Sequence, residues 1–198
     1  MVPAGDAVRP ATDGLRQALF SSLGARVVGA RVLDLFAGSG SYGLEALSRG
    51  AAHVSFVERN AKSLRCLQRN LLTVAKALGK SPETLARISA SDVTAWSLPA
   101  GVLPPELVFV DPPYELIVDL APALLSRLAH EINPAHDPLV FFETPGEISL
   151  EHAAWEPFKR IGGVKPRQPG ISVLRLRSPT GDDMRPTGGR KAANLSAE

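Results

Sequence analysis

The sequence has a single cysteine, few aromatic residues and no long run of apolar residues. Because Cys66 is alone, an internal disulfide is excluded among these 198 residues, which is typical of a reducing compartment. No apolar stretch approaches the roughly 20 residues needed to cross a bilayer. The first residues, MVPAGDAVRPATDG, lack the apolar core of a signal peptide. We therefore predict a cytoplasmic protein with no membrane partner.

A large excess of one charge is also absent. Lys and Arg number 22 against 20 for Asp and Glu, so the formal net charge is only +2. A strong binder of polyanions usually carries a larger excess or a dense basic patch. Charge alone therefore gives little support for a nucleic-acid partner. The four histidines share no metal-ligand spacing, and we predict no metal site; they are His53, His130, His136 and His152.

The length favours one domain with flexible ends. Hydrophobic residues make up 44% of the chain, enough for a substantial core. We predict a flexible N-terminus over residues 1–8, a single domain over 9–177, and a disordered tail over 178–198, where no apolar periodicity remains. We expect a monomer.

Strands and helices are predicted to alternate along this domain. Alternation of this kind indicates an α/β protein with a doubly wound, mainly parallel sheet that is covered on both faces. Ligands of such sheets bind beyond the carboxyl ends of the strands. The apolar runs predict strands at 31–36, 53–58, 87–90, 107–110 and 139–143 and a closing pair at 157–163 and 170–177, with helices over 41–48, from a cap at Asn60 to about residue 78, and over 117–132.

The stretch LDLFAGSGSYGLEALSRG contains the pattern G-x-G-x-x-G, formed by Gly38, Gly40 and Gly43. This pattern by itself is a weak sign of a dinucleotide site. We interpret Gly38 and Gly40 as residues that let the backbone turn and approach a ligand without a Cβ atom. Gly43 would allow the helix to pack closely on a strand.

Acidic residues follow or end four of the predicted strands: Asp34, Glu58, Asp92 and Asp111. A pyrophosphate would be repelled by this group, because phosphate sites need N–H donors and few carboxylates. S-adenosylmethionine has an ammonium, a sulfonium and two ribose hydroxyls, all of which carboxylates can bind. Two alternatives stay open. Glu58 would be a solvated acid that caps a helix, and Asp92 would cap the helix or loop that follows Asp92 itself.

The stretch VFVDPPYE, residues 108–115, carries the second motif. Two prolines after a buried strand remove two N–H donors, so the Asp111 carboxylate and the Pro112 carbonyl remain as acceptors. Acceptors beside the flat ring of Tyr114 suit a planar substrate with an exocyclic amine, held in line with a methyl donor. We predict that Asp111, Pro112, Pro113 and Tyr114 are the catalytic residues. The alternative is a proline-rich turn with a core tyrosine.

These motifs resemble those of the class I S-adenosylmethionine-dependent methyltransferases, and the chain is similar to the RsmD family, which methylates N2 of a guanine in 16S ribosomal RNA. The similarity runs from about residue 9 to 177 and includes RPATDGLRQALF, the glycine loop, VERN and DPPY. It implies a Rossmann-like fold with a seven-stranded sheet whose last strand is antiparallel. By this resemblance Asp92 would face the adenine amine, and the donor-binding residues would be Asp34, Phe36, Gly38, Gly40, Glu58, Arg59, Asp92 and Val93.

The sequence departs from the family pattern at several places. Tyr42 stands where the family usually has a small or apolar residue, and Gly14 and Gln17 stand where it tends to have Arg and Glu. The closing strand GISVLRLRS lacks the usual Gly-Asp. Family members usually carry a basic β-hairpin before the R-P-x-T segment, and we expect this chain to lack it, which bears on the RNA target more than on the chemistry.

The resemblance implies ribosomal RNA or the small ribosomal subunit as the partner. Three other functions stay open: a DNA adenine-N6 methyltransferase, for which the chain leaves no recognition region; a protein-glutamine methyltransferase, which typically has Asn before the two prolines; and a non-catalytic RNA-binding paralogue. The candidate RNA contacts, each also explicable as an ordinary surface charge, are Arg9, Arg16, Lys159, Arg160, Lys165 and Arg167.

Overall fold

Seven strands form one sheet in the order β3-β2-β1-β4-β5-β7-β6. The computed structural model describes residues 10–177, so the predictions for residues 1–8 and 178–198, and for Arg9, lie outside the described residues. The strands are β1 (Arg31–Leu35), β2 (His53–Glu58), β3 (Ala86–Ala90), β4 (Leu107–Val110), β5 (Leu139–Pro145), β6 (Trp155–Gly162) and β7 (Pro169–Leu176).

Within residues 10–177, one α-helix precedes β1 and four lie between strands: α1 (Pro10–Leu23), then α2 (Ser41–Ser48), α3 (Ala61–Leu78), α4 (Pro82–Leu85) and α5 (Ile117–Glu131). Strands β1 to β5 pair in parallel, whereas β7 is antiparallel to both of its neighbours, β5 and β6. The prediction of a seven-stranded, mainly parallel sheet with an antiparallel last strand is therefore confirmed. The strand order reverses at β1, which pairs with β2 on one side and β4 on the other, and this is the switch point where such sheets bind ligands.

Two apolar clusters cover the two faces of the sheet. On the first face α1, α2 and α3 pack on alternate strand residues such as Val32 and Phe109. On the second face α5 packs on the residues between them, such as Leu33 and Val108. Because strand side chains alternate between faces, each buried strand contributes to both clusters. Among residues 10–177, no helix is both long and apolar enough to cross a membrane.

Most predicted elements are confirmed to within two residues. Asn60 caps α3 as expected, because its side chain accepts hydrogen bonds from the backbone N–H groups of Lys62 and Ser63. The first strand ends one residue early, at Leu35, and β5 extends beyond residue 143 to Pro145. The sequence patterns predict no secondary structure where α1 and α4 lie. The apolar residues of α1, among them Leu19 and Phe20, are buried only by docking on the first face.

The interpretation of Gly43 as a close-packing residue is confirmed. A Cβ atom at this position would lie 2.3 Å from Cε1 of Phe56 and 2.7 Å from Cγ1 of Val54, both on β2. Real Cβ atoms essentially never approach so closely, so only glycine lets α2 lie at this distance from the sheet.

We predict that Gly43→Ala lowers the free energy of unfolding by about 1–3 kcal/mol, because the Phe56 ring must shift in a packed core. Gly14→Ala is the matched control. Gly14 also lies in a helix but has nothing within 4 Å of its missing Cβ, so this change should raise stability by about 0.5–1 kcal/mol. Urea unfolding measures both, and equal effects would contradict the packing argument.

Candidate active site

The loop between β1 and α2 is held in shape by hydrogen bonds from two neighbouring elements, β2 and α3. Phe36, Gly38 and Gly40 have φ angles of 59°, 56° and 90°, and the value for Phe36 is unusual for a non-glycine residue. Glu58, at the end of β2, accepts the backbone N–H of Gly38 at 2.8 Å. From α3, Asn70 donates to the carbonyl of Ser39 at 3.0 Å. The loop is therefore preorganised by its neighbours.

The two loop glycines serve different purposes. A Cβ atom on Gly38 would meet only the Phe36 carbonyl, at 4.0 Å, so this part of the loop faces open space and fits a ligand. A Cβ atom on Gly40 would lie 2.3 Å from Cδ1 of Leu67 on α3. The φ angle of 90° confirms that Gly40 lets the backbone turn, and the missing Cβ also lets the loop pack against α3. Its approach to a ligand stays a prediction.

Glu58, Arg59 and Asp92 adjoin one another at the ends of β2 and β3. Asp92 accepts hydrogen bonds from the backbone and hydroxyl of Thr94 and pairs with Arg59 at 2.6 Å. The bonds from Thr94, followed by the contact with Arg59, lower the pKa of Asp92 to about 2. Asp92 therefore caps its own turn, which is the alternative that the sequence left open, and this does not exclude a ligand contact.

Two further predicted donor-binding residues lie against the second face. Val93 is 3% exposed and belongs to that core cluster, and its carbonyl accepts from Arg127 at 2.8 Å. Phe36 is partly buried against the same cluster. A donor contact at Val93 would therefore involve its backbone, and the donor-binding assignments of both residues stay predictions.

Three carboxyl groups lie on the first face at the ends of the adjacent strands β1, β4 and β5. Leu35 pairs with Val110 and Val110 with Phe142, and these residues pack on the second face. The alternation of side chains then puts Asp34, Asp111 and Glu143 on the opposite face. Asp34 is 1% exposed and accepts the backbone N–H of Gly43 at 2.8 Å.

Burial dominates the electrostatics of this group. It raises the pKa of Asp34 to about 7, despite the opposing hydrogen bond from Gly43. Burial, with added repulsion from Glu143 and then Asp34, raises the pKa of Asp111 to about 8. Near neutral pH the protein alone therefore keeps protons on part of this group. A cation bound beside it would favour the ionised carboxylates.

The D-P-P-Y segment forms the rim of this acidic edge. Asp111 follows β4, and its backbone N–H lies 3.5 Å from the Leu35 carbonyl at the start of the glycine loop. Pro112 is buried and Pro113 is exposed. Tyr114 is partly buried, and its phenol donates to Oε1 of Glu143 at 3.4 Å. The structure thus brings the two sequence motifs to adjacent positions, and Tyr114 is not fully enclosed in the core.

Sequence reasoning missed Glu143 and treated Tyr42 only as a departure from a family pattern. The phenol of Tyr42 donates to Oε2 of Glu143 at 2.7 Å, and both residues are buried. Glu143 was the last residue of a predicted strand, so the strand-end rule that identified Asp34 and Asp111 could have found it. Its pairing with Tyr42 had no local signal.

Some of the candidate RNA-contact side chains bind other groups of the protein, and others are exposed to solvent. The guanidinium of Arg160 donates to Thr144, Ser172 and the Gly163 carbonyl, so it holds β6 onto the sheet. Arg16 pairs with Asp13, and Lys159 donates to Ser22. Lys165 and Arg167 are exposed.

The strand order, the antiparallel β7 and the glycine loop after β1 define a class I methyltransferase fold. A solved structure named "Putative methyltransferase yhhF from Escherichia coli" has a TM-score of 0.69 and 28% identity, and the match covers 90% of this chain and 92% of that one. Residues 1–176 match the family described as Conserved hypothetical protein 95. The chain belongs to this family, which is the RsmD family that its motifs resemble.

Two curated relatives are named Ribosomal RNA small subunit methyltransferase D. The Haemophilus influenzae protein is 33% identical over 145 residues, 73% of this chain and 72% of that protein. The Escherichia coli protein is 39% identical over 113 residues, 57% of this chain and 53% of that protein. The chain thus spans little more than half the length of some of the curated relatives it matches.

We predict that stability falls as pH rises from about 4 to about 8. In the unfolded chain the carboxyls of Asp34 and Asp111 both lose their protons at about pH 4. In the folded protein Asp34 holds its proton up to about pH 7 and Asp111 up to about pH 8, so the folded state binds more protons in this interval. The free energy of unfolding should then level off above pH 8. Urea midpoints at pH 5, 7 and 9 measure this. Asp111→Asn should reduce the fall, whereas Asp119→Asn, on the exposed surface of α5, should not. If the stability of Asp111→Asn fell with pH as much as that of the wild type, the pH dependence would not come from Asp111.

Proposed function

We propose that this protein is an S-adenosylmethionine-dependent methyltransferase that modifies N2 of a guanine in small-subunit ribosomal RNA. One observation carries the proposal: the acceptor-rich D-P-P-Y segment after β4 adjoins the glycine loop after β1, at the switch point of a class I methyltransferase fold. Membership of the RsmD family and the names of the curated relatives support this substrate.

The residues around the glycine loop fit a positively charged adenosyl donor. Gly38 leaves open space beside the backbone, and Glu58 lies at the next strand end, where a ribose would be reached. The donor-side acids Asp34, which is buried, and Glu58 favour a cation over a pyrophosphate. When bound, the donor supplies an electrophilic methyl group on a sulfonium. We assign its binding to Asp34, Phe36, Gly38, Gly40, Glu58, Arg59, Asp92 and Val93.

The D-P-P-Y residues would hold the target amine. Its two N–H groups donate to the Asp111 carboxylate and the Pro112 carbonyl, while Pro113 fixes the turn and the base stacks on Tyr114. These acceptors would direct the nitrogen lone pair towards the methyl group that the donor supplies. The ionised Asp111 would accept the proton that the methylated nitrogen loses. The base must lie outside a helical stack to reach Tyr114.

Ribosomal RNA, free or in the small subunit, is the proposed partner, recognised through its shape and phosphates. Exposed Lys165 and Arg167 are available for such contacts, whereas Arg160 is occupied by the sheet. Such a substrate agrees with action in the cytoplasm. The monomeric state stays a prediction.

The test is methyl transfer from labelled donor to deproteinised 16S ribosomal RNA and to small subunits, both from cells that lack this protein. Mass spectrometry of nuclease digests should find N2-methylguanosine in one of the two substrates. Label in adenine of DNA or in protein glutamine would support those alternatives instead. Donor binding without transfer to any substrate would support a non-catalytic paralogue.

We predict that Asp111→Ala lowers the rate of methyl transfer by at least about a hundredfold, because the amine is no longer oriented towards the donor. Donor affinity, measured by isothermal titration, should stay within a few-fold. Asp119→Ala, an exposed acid on α5, should leave both unchanged. Near-normal turnover in Asp111→Ala would show that the assignment of Asp111 is wrong.

We predict that Glu58→Ala weakens donor binding by about 1.5–3 kcal/mol, the contribution of a hydrogen bond to a charged group. The same carboxylate holds the backbone N–H groups of Gly38 and Asn60, so the loop also loses support. Titration with the donor measures the loss. Glu45→Ala removes a surface pair with Arg49 on α2 and serves as the control. Unchanged affinity in Glu58→Ala would move the ribose contact elsewhere.

A further inference from the structure

Glu143 is a buried carboxyl that neither sequence motif includes. It is 5% exposed and lies near the end of β5, where Val110 pairs with Phe142 in the parallel register. The next residues, Asp111 and Glu143, are therefore neighbours on the same face of the sheet. A carboxyl in such a place is costly unless hydrogen bonds compensate its lost hydration.

The two oxygens of Glu143 accept from two different tyrosines. Oε2 accepts the phenol of Tyr42 at 2.7 Å, and Oε1 accepts the phenol of Tyr114 at 3.4 Å. The second bond is long, as expected for a group at the rim of an open cleft. Glu143 thus connects a residue of α2 with the aromatic residue of the D-P-P-Y segment.

Tyr42 is a rigid anchor for this connection. It is 6% exposed, and its ring stacks on Phe109 of β4 with centroids 5.4 Å apart and an interplanar angle of 23°. Burial, with the nearby carboxyls of Glu143 and Asp111, raises the pKa of Tyr42, so its phenol keeps the donor proton at neutral pH. The Oε2 atom of Glu143 is therefore held at a defined position in the core.

We propose that Glu143 is a positioning residue of the active site, which sets the orientation of the Tyr114 ring through Oε1 while Tyr42 fixes Oε2. The inference rests on the proposed function and extends it to two residues outside the motifs. Tyr114 has no other role in the proposed reaction than to stack on the target base. Freedom of its ring would misplace the amine relative to the donor and lower the rate of transfer more than donor affinity.

The tyrosine content of the chain makes this inference directly measurable. Tyr42 and Tyr114 are the only two tyrosines among the 198 residues, so ¹³C labelling at the tyrosine Cζ atom gives two signals, both from this network. Tyr42→Phe and Tyr114→Phe assign them. Glu143→Gln should shift both signals, because an amide oxygen and an N–H₂ group replace two equivalent acceptors.

The Tyr42→Phe variant tests the relay itself. It removes the one hydroxyl that donates to Oε2 of Glu143 and leaves both Glu143 and Tyr114 unchanged. The Tyr114 signal should nevertheless shift. Glu147→Gln makes the same acid-to-amide change at an exposed residue four positions further on and should leave both signals in place.

Activity separates a positioning role from a merely structural one. Glu143→Gln and Tyr42→Phe should lower kcat by about tenfold to a hundredfold and keep donor affinity within threefold of wild type. The control Glu147→Gln should change neither kcat nor donor affinity. The inference would be overturned if neither Glu143→Gln nor Tyr42→Phe shifted the Tyr114 signal, or if neither variant lowered kcat. If both variants shift the Tyr114 signal but the wild-type protein methylates no RNA, the result would support the positioning network and count against the proposed function alone.

Discussion

The parallel register of β1, β4 and β5 is the constraint on which this site depends. It brings Asp34, Asp111 and Glu143 from three separate segments to one end of one sheet face. Buried acids of like charge repel each other and are costly to desolvate, as the raised pKa values of Asp34 and Asp111 show. Donors from α2 offset part of this cost, because the backbone N–H of Gly43 binds Asp34 and the phenol of Tyr42 binds Glu143.

The same helix links the packing of the core to the shape of the site. Gly43 lets α2 lie directly on Phe56 and Val54, and Gly40 lets the loop pack against Leu67 of α3. If α2 stood further from the sheet, its donors would not reach the carboxyls. The glycines of the G-x-G-x-x-G pattern therefore act largely through protein packing, and Gly38 alone of the three faces open space.

An acidic cleft of this kind is suited to a cationic ligand beside an amine, and poorly suited to a phosphate-bridged one. Carboxyls that hold protons in the protein alone are ready to ionise when a positive charge arrives, so binding of a cation and loss of a proton are coupled. The basic residues, by contrast, are spread over ion pairs such as Arg16–Asp13 and over sheet contacts such as those of Arg160.

The sequence by itself determined the seven strands, three of the helices and the strand-end acids Asp34, Glu58, Asp92 and Asp111, because hydrophobic periodicity and capping residues such as Asn60 act over a few neighbouring positions. It also placed Asp111 to Tyr114 after a buried strand. Only the tertiary structure decided that Tyr42 meets Glu143, 101 residues away, that Arg59 pairs with Asp92, and that α1 is a helix docked on the first face. Those contacts depend on strand register and on how helices dock, and neither leaves a pattern within a short stretch of chain.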